Sequence, residues 1–332
     1  MTLPMTKLKN EVIESFRERL GKSKALSFDE YLEWALYAER IGYYRRNIQR
    51  VGRKNESDFY TSSNLAPLWG ELLVAACNSL LAPQPLFEFS FVEIAAEPNH
   101  SVLSGVEQEF KKVITYNFGD SLVIPQHSIV FSNEWLDAQP FKRFLFSSKE
   151  ERWLELGVCE ESGHLKETPL DRTDSITQSF PAPPGDNYRV DWPSGSTRCL
   201  SELLCNSQWT GLFLTFDYGL SYNDIFFQKP QGTARTYHRH QMDDNLLQSP
   251  GEKDITCHLC WDPLEEILNG NGFSQISIDR QESFFMNHAA AKIEDILIES
   301  KGTFSPKLQS LKELIHPQHL GNKFQALSGI RL

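Results

Sequence analysis

The chain has 332 residues, 40% of them hydrophobic, which is enough for one large α/β domain or two smaller ones with a sizeable core. Its 33 basic residues face 44 acidic ones, and the formal net charge of −11 argues against a surface that holds nucleic acid or an anionic membrane by general charge attraction. No apolar run approaches the roughly 20 residues of a membrane span, and Glu11, Glu14 and Glu18 interrupt the basic residues near the start, so the chain is read as mature and cytoplasmic.

In chain order, Lys7 to Leu20 places Leu8, Val12, Ile13, Phe16 and Leu20 on one helical stripe with Gly21 at the C-cap. Ser27 and Glu30 form a capping box that opens a second helix through Tyr37, burying Phe28, Tyr31, Leu32 and Ala35. Polar Ser57, Asp58, Thr61, Ser62 and Ser63 precede an apolar helix from about Pro67 to Leu81, closed by Pro83 and Pro85. Hydroxyls gathered there can cap the helix or hold a ligand.

Phe87 to Ile94 is dense enough in apolar residues for the first strand of a buried sheet. A helix at about Ser101 to Lys112 and a short strand Val113 to Tyr116 are expected next. Ile129 to Ala138, IVFSNEWLDA, then runs from an apolar strand into Ser132, Asn133, Glu134 and Asp137. A parallel strand that stops in clustered polar groups stops at a ligand crevice; the same residues also suit a helix N-terminus, with Ser132 or Asn133 as cap.

Alternation from Phe141 to Val158 around Ser147-Ser148-Lys149 predicts an antiparallel hairpin, and Glu161 to Thr197, rich in Pro, Ser, Thr and Gly, reads as a long irregular insertion. Cys199 to Asn206 reads as helical. Gly211 to Phe216 is an apolar strand ending in Asp217-Tyr218-Gly219, a second polar terminus. Asp262 to Leu268 is a helix and Phe273 to Ile278 a strand. The six scattered cysteines suit reduced thiols, and Cys257-His-Leu-Cys260 lies in an alternating run without a second pair at zinc spacing, so no metal is expected.

These segments resemble one family in order: LSFDEYLEWALY with IGYY, SDFYTSSNLAPLWGELL, FVEIAAEP, IVFSNEWLDAQPFKRF, LFLTFDYG, GTARTYHRHQMDDNLLQSPGEKDITCHL and HPQHLGNKFQAL. It is that of the MidA-type, mitochondrial complex I assembly factor 7-like methyltransferases. The resemblance implies an α/β, seven-stranded Rossmann-like sheet, with residues 1–82 as a helical lid and cofactor-side segment. The methyltransferase domain would then span 83–332, with an α+β insertion at about 141–210. It implies S-adenosylmethionine as cofactor, held by Asp58, Phe59, Thr61, Ser62, Glu93, Ala95, Ala96 and Asn133, with Asp120 as the candidate for the ribose hydroxyls.

It further implies a protein acceptor, methylated on arginine, with Asn133, Glu134, Asp137 and Asp217 as candidate catalytic residues. Tyr218, Gly232, Thr233 and Arg235 would shape the acceptor side. A homodimer is compatible with these features.

The chain departs from the family where a GxGxG-type loop is expected. Ala95-Ala96-Glu97-Pro98-Asn99-His100 replaces each glycine, Pro98 lacks an N–H, and Glu97 places a negative charge near the donor's carboxylate. The segment Ser101 to Ser128 is also shorter than in relatives. The alternative is therefore a pseudoenzyme that keeps the fold and a partner-binding surface without donor binding.

Overall fold

The computed structural model describes residues 9–45, 65, 67–96, 101–205, 208–238, 241–300, 305–316 and 318–332. Six strands build the central sheet: β1 (Ser90–Ile94), β2 (Lys112–Tyr116), β3 (His127–Asn133), β4 (Thr210–Asp217), β5 (Ser274–Arg280) and β6 (Gln325–Arg331), in the order β5-β6-β4-β3-β1-β2. The pairs β2–β1, β1–β3 and β3–β4 are parallel, whereas β6 runs antiparallel to both β4 and β5. Ladder partners Ile94–Tyr116, Ile94–Ser132 and Ser132–Thr215 align the carboxyl ends of the four parallel strands in one row.

Both faces of the sheet are covered, which is why β1, β3 and β4 read as nearly continuous apolar runs. On one face Phe91, Phe131 and Phe216 pack with Leu68, Trp69 and Leu72 of the helix Leu68–Leu81 and with the helices Gln281–His288, Ala290–Glu299 and Pro306–Ile315. On the other, Val92, Val130 and Phe213 meet Leu200 and Leu204 of the helix Ser194–Cys205 and Leu264 and Leu268 of the helix Trp261–Gly270.

The expected seventh strand is not formed among the described residues. The chain passes directly from the turn after β2 to β3, and the segment 117–126 leaves no length for a further crossover. The helix expected at Ser101 to Lys112 is likewise replaced by turns and a single 3-10 turn, Glu107–Glu109. Gly105 lies at φ +91°, and the Glu93 carboxylate draws Ser101 and Val102 toward the sheet, so tertiary bonds override the helical pattern there.

The stretch from 161 to 197 is less irregular than its composition suggests. Strands Lys142–Ser147, Arg152–Glu161, His164–Pro169 and Arg189–Trp192 form an antiparallel sheet that the short strand Leu26–Ser27 joins at one edge. On it sits the helix Phe28–Tyr37, opened by the Ser27 N–H donating to Glu30 Oε2 at 2.8 Å, with Phe28, Tyr31 and Leu32 packed among Phe141 and Val158. The run around Cys257 is two short strands, Asp254–Thr256 and Leu259–Cys260, and Cys257 and Cys260 are buried free thiols. Among the described residues no helix is long and apolar enough to cross a membrane.

Candidate functional site

The carboxyl ends of β1, β3 and β4 form the place where an open parallel sheet binds ligands. At the end of β1 the backbone turns sharply. Ala95 takes φ +59°, a conformation normally left to glycine, and the Ala96 N–H donates to the Tyr116 carbonyl at 2.9 Å. Glu93, buried just before this turn, accepts from Ser101 Oγ at 2.8 Å and from the Val102 N–H at 3.2 Å, and burial pushes its carboxyl up to about 7.

Past β3, Glu134 adopts φ +51° and its N–H donates to the Phe216 carbonyl at 2.9 Å, so the chain folds back over the end of β4. Asn133 donates from Nδ2 to Glu134 Oε1 at 3.0 Å, leaving the buried Asn133 Oδ1 with no hydrogen-bond partner. Asp217, fully buried, accepts from the Tyr218 N–H with one oxygen and from the Leu136 and Asp137 N–H groups with the other, at 2.8 to 3.2 Å. It is therefore the clamp that shapes the 134–138 turn. Burial is the main reason that its carboxyl rises to about 8.

Asp137 is 4% exposed, and its Oδ1 has no partner. Burial, then Asp217 and Asp254, hold its carboxyl well above the ordinary range. Asp254, also buried, accepts from the Tyr44 hydroxyl at 2.9 Å. Tyr218 and Tyr237 border the same group, their hydroxyls raised by burial and then by Glu134 and Asp137 for Tyr218, and by Asp137 for Tyr237. Four carboxyls, those of Glu134, Asp137, Asp217 and Asp254, thus meet three tyrosines at the end of β4, and one carboxyl oxygen among them is orphaned.

The segment 232–235 is fixed from the second sheet. Asp191 Oδ2 accepts from the Thr233 and Ala234 N–H groups at 2.8 Å each, while its Oδ1 accepts from Arg143 Nε at 2.8 Å. Gly232, at φ +74°, is required there because a Cβ would lie 2.2 Å from Asp191 Oδ2. Thr233 Oγ1 in turn accepts from the His258 N–H at 3.1 Å. The His258 ring lies nearly parallel to Tyr218 at 6.4 Å, its buried Nδ1 has no partner, and burial lowers its pKa to about 4.

Asn133, Glu134, Asp137 and Asp217 therefore come together, as do Glu93, Ala95 and Ala96 along the adjoining strand end. Asp58, Phe59, Thr61 and Ser62 lie outside the described residues, as does the loop 97–100. Asp120 is exposed, and its carboxylate accepts from the Asn117 N–H at 2.8 Å, capping its own turn. Sequence reasoning missed Asp254, Tyr44, Tyr237 and Asp191. Asp254 and Tyr44 sit inside the quoted SPGEKDIT and IGYY segments, but their pairing across 210 residues has no local signal.

The fold has close counterparts. A Burkholderia thailandensis protein considered a methyl transferase and solved bound to S-adenosyl-homocysteine superposes with a TM-score of 0.80 at 20% identity, covering 99% of this chain and 95% of that one. An uncharacterized member of the same superfamily from the same organism, in native form, gives 0.79 at 18% identity over the same shares. These likenesses establish a Rossmann-like methyltransferase fold. No curated protein matches the chain. Residues 84–277, more than half of the sequence and the stretch that carries the ends of β1, β3 and β4, match the Methyltransf_28 profile, and the chain belongs to this S-adenosyl-L-methionine-dependent methyltransferase family.

Proposed function

We propose that the chain binds S-adenosylmethionine across the ends of β1 and β3 and methylates a protein acceptor on arginine at the Asp137 pocket. The observation that carries this reading is the Asp137 carboxyl, buried with an unpartnered oxygen among Asp217, Asp254 and Glu134 at the end of β4. A guanidinium is planar, cationic and rich in donors, and it would complete that oxygen and offset the crowding of acids.

Two features suit the donor. Its ammonium group suits the orphaned Asn133 Oδ1, and Ala95 takes a left-handed conformation of the kind a glycine allows. When bound, it supplies an electrophilic methyl group on a sulfonium. The protein's task is then to position the acceptor nitrogen and to take its proton. Carboxyls that burial raises are matched to that exchange: they hold a proton more readily than exposed acids do, and one that is ionised beside the cationic acceptor can take the proton that leaves as the nitrogen lone pair is used.

A second reading, a scaffold that no longer binds the donor, is favoured by one feature: among the described residues no helix follows the Ala95-Ala96 turn. A donor carboxylate would thus lack a helix N-terminus to meet. Calorimetry with S-adenosylmethionine and S-adenosylhomocysteine separates the two. Micromolar binding, with mass gain on an arginine-containing peptide, is the expected result. No binding at millimolar donor, restored by glycines at Ala95, Glu97 and Asn99, would establish the scaffold.

A further inference from the structure

Besides Asp137 Oδ1, the acceptor wall carries an orphaned ring nitrogen on His258. The next residue, Leu259, donates its N–H to the Tyr218 carbonyl at 2.8 Å and pairs with Gly219 in parallel register. These bonds lay residues 257–259 alongside the end of β4. Cys257 is buried there, its thiol pushed up by burial and then by Asp191, Asp137 and Asp217, so the segment borders the Asp137 pocket.

His258 is held from two directions. Its backbone N–H donates to Thr233 Oγ1 at 3.1 Å, and its ring plane lies within 12° of Tyr218 with centroids 6.4 Å apart. Tyr218 is itself backed by Phe324, with centroids 4.2 Å apart. The buried Nδ1 has no hydrogen-bond partner among the described residues. An imidazole nitrogen buried and unpaired costs free energy, which the N–H of a ligand recovers. Burial, then Lys229 and Arg235, lower the ring's pKa to about 4 against the pull of Asp191, so the ring is uncharged at neutral pH.

We infer that His258 is an acceptor-binding residue, its Nδ1 accepting a hydrogen bond from one N–H of the substrate guanidinium while Asp137 accepts from another. This rests on the arginine reading above. A guanidinium has donors and no acceptor, so it selects the imidazole tautomer whose Nδ1 lone pair is bare. An uncharged ring supplies that bond without repelling a cation and without adding to the crowding of acids around Asp137.

The test is steady-state methylation of a short arginine-containing peptide by the full chain, comparing wild type, His258→Phe, His258→Gln and His258→Asn. Melting temperatures control for folding, and calorimetry with S-adenosylhomocysteine controls for the donor. Phenylalanine keeps a ring beside Tyr218 with no acceptor, glutamine sets its amide oxygen near the place of Nε2, and asparagine sets its own near that of Nδ1. KM for the peptide should rise by about tenfold or more in His258→Phe and His258→Gln, with kcat and donor affinity nearly constant, and His258→Asn should recover most of that loss. A packing role gives the reverse order, with phenylalanine tolerated and asparagine damaging. That order, or a folded His258→Phe with the wild-type KM, overturns the role of His258 while leaving the arginine reading intact. Should His258→Phe fail to fold, His258→Gln against His258→Asn decides, and equal KM values in those two overturn it. Absence of methylation by wild type overturns both readings together.

Discussion

The two halves of the crevice are built in different ways. On the acceptor side, the ends of β3 and β4 are held by many directed bonds: Asp217 clamps three N–H groups, Asp191 holds Thr233 and Ala234, and Tyr44 reaches Asp254. On the donor side, the end of β1 relies on one buried carboxyl, Glu93, and on an alanine in a glycine conformation. The difference teaches that a methyltransferase sheet positions its strand ends whatever loops leave them. The chemistry of each half depends on side chains added afterwards, and among the described residues more directed bonds gather at the ends of β3 and β4 than at the end of β1.

The comparison is tested most severely at Asp137. Asp137→Asn keeps the volume and removes the titrating group, so methylation of an arginine peptide should fall by roughly 10²-fold or more, while S-adenosylhomocysteine affinity stays near wild type. The same variant should be more stable at pH 8. A carboxyl raised in the folded state binds its proton more tightly there than when unfolded, so its contribution is lost as pH rises, and asparagine escapes that loss. A parallel fall in donor affinity would erase the distinction between the halves.

Next in size is Gly232→Ala. The new Cβ would meet Asp191 Oδ2 at 2.2 Å in a left-handed backbone, so either the carboxylate lets go of Thr233 and Ala234 or the strand shifts. We expect a loss of about 2–4 kcal/mol in chemical denaturation. A loss below 1 kcal/mol by that measurement would mean that the acceptor wall is not held from the second sheet.

Glu93 probes the donor half. Its carboxyl sits near 7 in the folded chain against 4.5 when free, so the folded state retains a proton that the unfolded state releases between those values. Stability contributed by Glu93 is therefore greatest below about pH 4.5 and is lost on the way to pH 7 and above, a change on the order of 2–3 kcal/mol. Glu93→Gln still accepts from Ser101 and Val102. It should flatten that part of the decline when urea midpoints are compared at pH 5 and pH 8, leaving the part due to Asp137 and Asp217.

Much of this was readable in the sequence wherever burial on both sides of the sheet forced apolar runs. Phe87 to Ile94, Ile129 to Phe131 and Gly211 to Phe216 read as apolar strands, of which the first begins only at Ser90, and the polar residues after two of them point to the crevice. β6 was hidden because Ala326, Ser328 and Gly329 break the apolar pattern, although the strand is inserted between β4 and β5 and is almost wholly buried. Strands His164–Pro169 and Arg189–Trp192 were masked by neighbouring prolines and by charges that turn out to pair: Arg143 and Arg189 both meet Glu167. The missing helix after β1 could not be foreseen from Ser101 to Lys112, because the group that unmakes it, Glu93, belongs to the strand before. The Asp120 bond is local by contrast, since a carboxylate in Asn-Phe-Gly-Asp has its own turn within reach.

The smallest expected effect bears on how the donor half came to differ. Ala95 at φ +59° sits where a side chain costs roughly 1–2 kcal/mol, and glycine at the same place would relieve that cost while returning part of it through a more flexible unfolded chain. Ala95→Gly should therefore stabilise by about 0.5–1 kcal/mol, a rise in melting temperature of about 1–2 °C. Because Glu93 and the Ala96–Tyr116 bond already fix the path of the turn, S-adenosylhomocysteine affinity should change by less than about threefold. A melting temperature that falls would show that the turn needs the alanine methyl as packing. The left-handed backbone would then be a consequence of the altered loop instead of a remnant of the glycine it replaced.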